Sequence, residues 1–186
     1  MFEATHPPTP SSHTRQARRV GPARGRRGGV PLLVALLALV PAAGFADVQV
    51  AREIPYAKDA KVRQAVREKC EVGTRLALAI EASSPEVELV DRPSGRSRLD
   101  LEILRVHSPG GGVFSGPKWI EVKGKLRKGG RVVGDFVARR YSSGGPFGLF
   151  IGTCGILNRI TKALGNDIGV YLESPSKGAR IGDFRS

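Results

Sequence analysis

Two cysteines are the residues with the clearest chemistry in this chain. Cys70 and Cys154 are the only cysteines among 186 residues. A leader, described below, predicts export to an oxidising compartment, where two cysteines favour a disulfide. Closing so long a loop would stabilise the fold by roughly 4 to 5 kcal/mol. The alternative is a reactive thiolate at Cys154, at the start of a predicted helix, although no second cysteine lies two residues beyond it.

Histidine and metal chemistry have little support in the sequence. Two of the three histidines lie in the leader, so only His107 remains for the mature chain. It lies at the end of a predicted strand, where a surface residue is more typical than the general base of a hydrolase. One histidine, two distant cysteines and no acidic cluster at ligand spacing do not supply the donors of a metal site. We therefore expect no metal, no cofactor and no enzymatic activity.

Three acidic residues could serve an enzyme of a different class. Asp100, Glu102 and Asp135 could supply a pair of carboxylates for general acid and base catalysis on envelope polymers. Asp100 and Glu102 alternate with leucines and an isoleucine, however, which is typical of the solvent-facing side of a strand. An enzyme acting on envelope polymers is therefore an alternative hypothesis. A structural assembly accessory is a third.

The first 46 residues have the pattern of a secretory signal peptide. Six arginines precede an apolar run from Val30 to Val40, and Ala46 ends a short segment suited to cleavage. The run is too short to span a bilayer, which needs about 20 residues. The general secretory and twin-arginine routes both stay open. No cysteine follows the run for lipid attachment, so we expect a periplasmic or secreted protein with at most peripheral membrane contact.

The mature chain is basic. The leader holds six of the 30 Lys and Arg residues and one of the 17 acidic residues, which leaves a net charge of 24 − 16 = +8. Such a charge favours association with anionic partners. We expect an unidentified envelope protein or an anionic polymer as the partner. A nucleotide is not expected and nucleic acid is disfavoured.

The elements that must position these residues are predicted from periodicity. The pattern predicts an α+β two-layer sandwich with three to five mostly antiparallel strands and two main helices on one face. One domain should cover residues 47–173, followed by an irregular tail over 174–186. The predicted strands are 47–54, 87–90, 99–107 and the two that flank Gly129 and Gly130, and the predicted helices are 60–70, 74–82 and 154–172.

The hairpin around Gly129 and Gly130 predicts a basic and aromatic face. In an even hairpin centred on these glycines, partner numbers sum to 259, so Trp119 should lie opposite Arg140 and Lys123 opposite Phe136. One side of the hairpin is then apolar and can receive the helices. The residues predicted for the other side, as a candidate binding face, are Trp119, Lys123, Lys125, Arg127, Phe136 and Arg140.

A Gly-rich loop from Gly144 to Gly152 precedes the last predicted helix. It resembles a phosphate cradle in outline but lacks the lysine that a nucleotide site would supply. Its apolar residues either seal the edge of the sheet or form an exposed contact loop. The candidate contact loop consists of Phe147, Leu149, Phe150 and Ile151.

Several segments resemble a family of small exported bacterial proteins of unknown function. They are SGPKWIEVKGKL, FVARRYSSGG and GTCGILNRITKALGNDIGVYL, with Lys69 and Cys70. The Thr-Cys helix start after a Gly-rich loop and the Ala-Leu-Gly-x-Asp-Ile segment beginning at Ala163 carry the resemblance. Related families are often lipoproteins, whereas this chain has no lipidation cysteine. The resemblance implies a non-catalytic envelope domain.

Overall fold

The computed structural model describes residues 48–109, 116–142 and 152–184. Within these ranges the chain forms seven strands and three helices. The strands are β1 (Val48–Ala51), β2 (Tyr56–Lys61), β3 (Val87–Val90), β4 (Ser97–His107), β5 (Lys118–Lys128), β6 (Arg131–Ser142) and β7 (Ala179–Gly182), and the helices are α1 (Gln64–Lys69), α2 (Val72–Ser83) and α3 (Thr153–Glu173).

The sheet is larger and more mixed than the sequence predicts. Its strand order is β3-β1-β4-β5-β6-β7, and β2 also pairs with β4. The β4–β5 and β5–β6 pairings are antiparallel, whereas β1–β3, β1–β4, β2–β4 and β6–β7 are parallel. The fold class remains α+β, but the prediction of three to five mostly antiparallel strands with two main helices is wrong.

Two of the extra strands come from segments with weak local signals. Residues 56–61 were expected partly in a helix, yet they form β2, and α1 begins only at Gln64. The tail expected to be irregular contains β7, which pairs with β6. Both strands are short and contain charged residues, so their pairing depends on a longer neighbouring strand rather than on their own pattern.

Helices α2 and α3 cover one face of the sheet. The predicted apolar stripe of α3 is confirmed, because Leu157, Ile160, Leu164 and Ile168 are fully buried. The two helices approach closely at Gly165, where an added Cβ would meet Ala79. Their buried faces, with the inward side chains of the strands, form one hydrophobic core.

The predicted disulfide is confirmed. Cys70, which follows α1, is bonded to Cys154 in the first turn of α3, with a Cα–Cα distance of 4.9 Å. The two residues are 84 positions apart, so the bond joins the start of α3 to the helical segment between β2 and β3.

The hairpin of β5 and β6 contains a β-bulge that changes the predicted register. Gly129 and Gly130 form the turn with φ of 59° and 80°, as the sequence predicts. Arg127 pairs with Val132, but Leu126 pairs with Gly134, so Val133 is an extra residue on β6. From this point the partners shift by one residue, and a shift of one residue moves each side chain of β6 to the opposite face.

Candidate binding face

The open face is the side of β4, β5, β6 and β7 that points away from α2 and α3. Side chains alternate along these strands, so the residues between the buried ones reach the open face. Four residues of the predicted face lie there, namely Trp119, Lys123, Lys125 and Arg127. The structure therefore brings together the part of the predicted face that belongs to β5.

Phe136 does not belong to the open face. It is 2% exposed and lies in the core. Its ring meets the Tyr171 ring of α3 edge to face, with 4.7 Å between the centroids. The predicted partner Lys123 pairs with Val137 instead, because the bulge has shifted the register. Phe136 is therefore a core residue that joins β6 to α3.

Arg140 also points to the helix side, where it forms a clamp. Its Nε and Nη2 donate to the two carboxylate oxygens of Asp167 in α3 at 2.6 and 2.7 Å. Its Nη1 donates to Asp183 at 3.0 Å. The hydrogen bonds to Asp167 raise the pKa of Arg140. Trp119, its predicted partner, pairs with Tyr141.

The predicted basic row on β5 is largely neutralised by β4. Lys123 lies 2.8 Å from the carboxylate of Glu102, and Arg127 lies 2.8 Å from that of Asp100. Arg98 contacts Asp100 as well, at 3.2 Å. Lys125 has no ion pair within the described part of the chain. These side chains line an open groove of about 410 Å³.

A second cluster on the open face was missed in the sequence. The Trp119 ring stacks on His107, with 5.4 Å between centroids and an interplanar angle of 18°. The guanidinium groups of Arg105 and Arg139 lie 5.5 and 5.0 Å from the centre of the Trp119 ring. Arg139 also donates through Nε and Nη2 to the carboxylate of Glu121. Such cation–π contacts position guanidinium groups without neutralising their charge.

The C-terminal residues extend this cluster. The Phe184 ring lies 5.1 Å from the guanidinium of Arg139 and 4.3 Å from that of Arg180. The backbone N–H of Asp183 donates to the carbonyl of Arg139 at 2.7 Å, which fixes the chain beside β6. Gly182 has a φ of +84°, and an added Cβ would meet that same carbonyl. Glycine is therefore required to bring Phe184 over the sheet.

We call this cluster the arginine–aromatic ladder. It crosses four neighbouring strands, so its members are far apart in the chain and no local motif announces them. The available signal was the alternation of Ala179 and Ile181 with Arg180 and Gly182 in the tail, which indicates a short strand. The ladder consists of Arg105, His107, Trp119, Arg139, Arg180 and Phe184.

The remaining predictions about sites fall outside this face. Residues 147–151, which include the candidate contact loop, lie outside the described residues. Across residues 48–109, 116–142 and 152–184, no group of three or more His, Cys, Asp or Glu side chains could hold a metal ion. In the same ranges, no helix combines the length and the hydropathy needed to cross a bilayer.

Comparison with known proteins gives a limited result. No family model and no curated protein matches the chain. Similar solved structures include an uncharacterized protein at 10% identity, which covers 69% of this chain and 93% of its own, with a TM-score of 0.46. The PelC dodecamer from Paraburkholderia phytofirmans is 14% identical over 67% of this chain and 89% of its own, with a TM-score of 0.43. A PelC variant gives 14%, 67%, 86% and a TM-score of 0.40. Similarity at this level supports no inference about function.

Proposed function

We propose that this protein is an exported, non-enzymatic domain that binds an anionic component of the bacterial envelope through the open face of its sheet. The observation that carries this proposal is the set of basic side chains on the open face that have no ion pair among the described residues. These side chains are Arg105, Lys125 and Arg180. A surface with uncompensated positive charge attracts anions and steers their approach.

Export is supported by two independent features. The leader pattern over residues 1–46 is typical of a secretory signal, and the Cys70–Cys154 disulfide is of the kind that persists in oxidising compartments. Neither feature depends on the other. We therefore place the mature domain in the periplasm or outside the cell.

The non-enzymatic part of the proposal is supported by the state of the acidic residues. Asp100 is held by Arg98 and Arg127, and Glu102 is held by Lys123. A carboxylate stabilised in this way by neighbouring cations is a poor proton donor and a weakened base. Asp100 and Glu102 also lie on the open sheet, where water has access to them. The enzyme alternative is correspondingly disfavoured.

The test is co-sedimentation of the purified, oxidised mature chain (residues 47–186) with envelope fragments from the source bacterium. The test variant carries Arg105→Gln, Lys125→Gln and Arg180→Gln. The control variant carries Arg75→Gln, Arg159→Gln and Lys162→Gln, which remove the same charge from α2 and α3. Near-ultraviolet circular dichroism checks that both variants are folded.

We expect wild type and the control to sediment with the envelope and to be released by salt, because exposed charges are screened. The open-face variant should remain in the supernatant. Equal recovery of the two variants would remove the open face from the account. A protein that does not sediment at any salt concentration would remove the binding function itself.

A further inference from the structure

We infer that the anionic partner is an acidic polysaccharide that lies across the strands, from β4 to β7, along the arginine–aromatic ladder. This inference rests on the proposed binding function and names the class of ligand for the same face. It is argued from the direction of the ladder, from the acids between its arginines and from the occupation of its aromatic rings.

The ladder defines a direction on the sheet. Arg105 lies on β4, Arg139 on β6 and Arg180 on β7. Neighbouring strands are about 4.8 Å apart, so the three guanidinium groups lie along a line of about 14 Å. A linear polymer with repeating negative charges fits such a line, whereas a single small anion would engage only one end of it.

The arginines of the ladder are suited to carboxylates. Arg139 is fixed between the Trp119 and Phe184 rings and by Glu121, so little side-chain entropy is lost when a ligand binds. Arg105 and Arg180 have ring contacts but no carboxylate partner among the described residues. Their planar guanidinium groups can each bind a carboxylate through two parallel hydrogen bonds.

Acidic residues between the arginines argue against a densely charged polymer. Asp135 and Glu121 line an open groove of about 350 Å³ together with Arg139, Arg180 and Phe184. Polyphosphate would bring negative charge against these carboxylates, which is unfavourable. A polysaccharide instead separates its carboxylates by neutral hydroxyl groups, and hydroxyls can donate hydrogen bonds to Asp135. The mixture of charges therefore favours sparse carboxylates and sugar hydroxyls.

The aromatic rings of the ladder are already occupied. Trp119 contacts His107, Arg105 and Arg139, and Phe184 contacts Arg139 and Arg180. Proteins that bind single-stranded nucleic acid stack the bases on free aromatic faces. Here the rings support guanidinium groups instead, so the charges of the ladder rather than its rings are presented to the ligand.

The experiment uses Trp119 as the reporter, because it is the sole tryptophan in the chain. Oxidised mature protein is titrated with polygalacturonate, with polyphosphate and with neutral dextran at equal ionic strength, and tryptophan emission is followed. Calorimetry with the same polymers supplies affinities that do not depend on the reporter. The ladder variant carries Arg105→Gln and Arg180→Gln, and the matched variant on the same face carries Lys125→Gln and Arg127→Gln.

We expect polygalacturonate to bind and to change the emission, with weaker binding of polyphosphate and none of dextran. The ladder variant should bind polygalacturonate about tenfold more weakly, and the matched variant less than about threefold more weakly. Equal losses in the two variants would overturn the direction across the strands. Polyphosphate binding as tight as that of polygalacturonate would overturn the ligand class. Envelope binding without any response to polygalacturonate would overturn this inference alone and leave the proposed function standing.

Discussion

At the scale of single residues, one shift in register decides which side chains reach the open face. The sequence identifies the hairpin and its Gly-Gly turn, but it does not locate Val133 as the extra residue of the bulge. Beyond the bulge, Phe136 enters the core and Arg140 turns to α3. A bulge depends on how two strands and the helix above them pack together, and residue spacing within one strand carries no information about that.

Arg140 tests whether this reassignment is correct. Arg140→Gln should lower the free energy of unfolding by about 1 to 2 kcal/mol, because Asp167 and Asp183 lose a shared, partly buried partner. Urea unfolding measures this effect. The control is Arg131→Gln at the exposed end of the hairpin, which should change stability by less than about 0.5 kcal/mol. Unchanged stability together with lost envelope binding would instead support the originally predicted binding role of Arg140.

Tyr171 gives a prediction about pH. Burial raises the pKa of the Tyr171 phenol above its usual value of 10.0, and its hydroxyl donates to the carbonyl of Ser176 at 2.7 Å. A pKa that is higher in the folded state means that the stabilisation is complete below pH 10 and is lost as the pH rises through the folded pKa.

The measurement is urea unfolding at pH 8 and at pH 11 for wild type and Tyr171→Phe. The phenylalanine variant lacks the ionisable group, so its stability should fall less between the two pH values. Tyr56, whose pKa burial also raises, is present in both proteins and cancels in the comparison. An identical fall in both proteins would show that Tyr171 does not carry the effect.

At the scale of secondary structure elements, the helices and the long strands could be predicted and the short strands could not. The apolar stripe of α3 and the alternation in β4 and β5 are strong, because each buries one face of a long element. β2 and β7 contain charged residues and gain their order from β4 and β6. The ladder was missed for the same reason, since it needs β7 and the residues after it.

The C-terminal segment therefore contributes to both stability and binding. Deleting residues 183–186 removes the Asp183 contacts to Arg140 and to the N–H of Tyr141, and it removes the Phe184 ring. We expect the free energy of unfolding to fall by about 1 to 3 kcal/mol, measured by urea unfolding. Polygalacturonate binding, measured by calorimetry, should weaken as well.

Phe184→Leu separates these two effects, because it keeps Asp183 and an apolar side chain. This variant should remain nearly as stable as wild type but bind more weakly, since Arg139 and Arg180 lose the ring that positions them. A truncated protein with wild-type stability and affinity would mean that the tail is dispensable.

At the scale of the whole molecule, the disulfide connects two segments that are distant in the chain. It was predictable because the chain has only two cysteines and a leader that predicts export, and neither observation requires knowledge of the fold. The size of the sheet was not predictable in this way, because four of its pairings are parallel and join segments that are separated by helices or by other strands.

Removing the disulfide should be costly. The double variant Cys70→Ser and Cys154→Ser should lose about 4 kcal/mol of unfolding free energy, because the bond constrains a long loop of the unfolded chain. Urea unfolding of the variant measures this loss, and reduced wild type serves as the control. Both thiols reacting with an alkylating agent in unreduced, exported protein would contradict the disulfide directly.

The central claim is that the open face, and not the helix layer, receives an acidic polymer. The most direct measurement is a ¹H–¹⁵N NMR titration of the oxidised mature domain with short, defined oligogalacturonates. The account predicts that the largest shifts occur at the Trp119 indole and at Arg105, Arg139 and Arg180, in a line across β4 to β7. Shifts concentrated on α2 and α3, or spread along β5 without reaching β7, would contradict it.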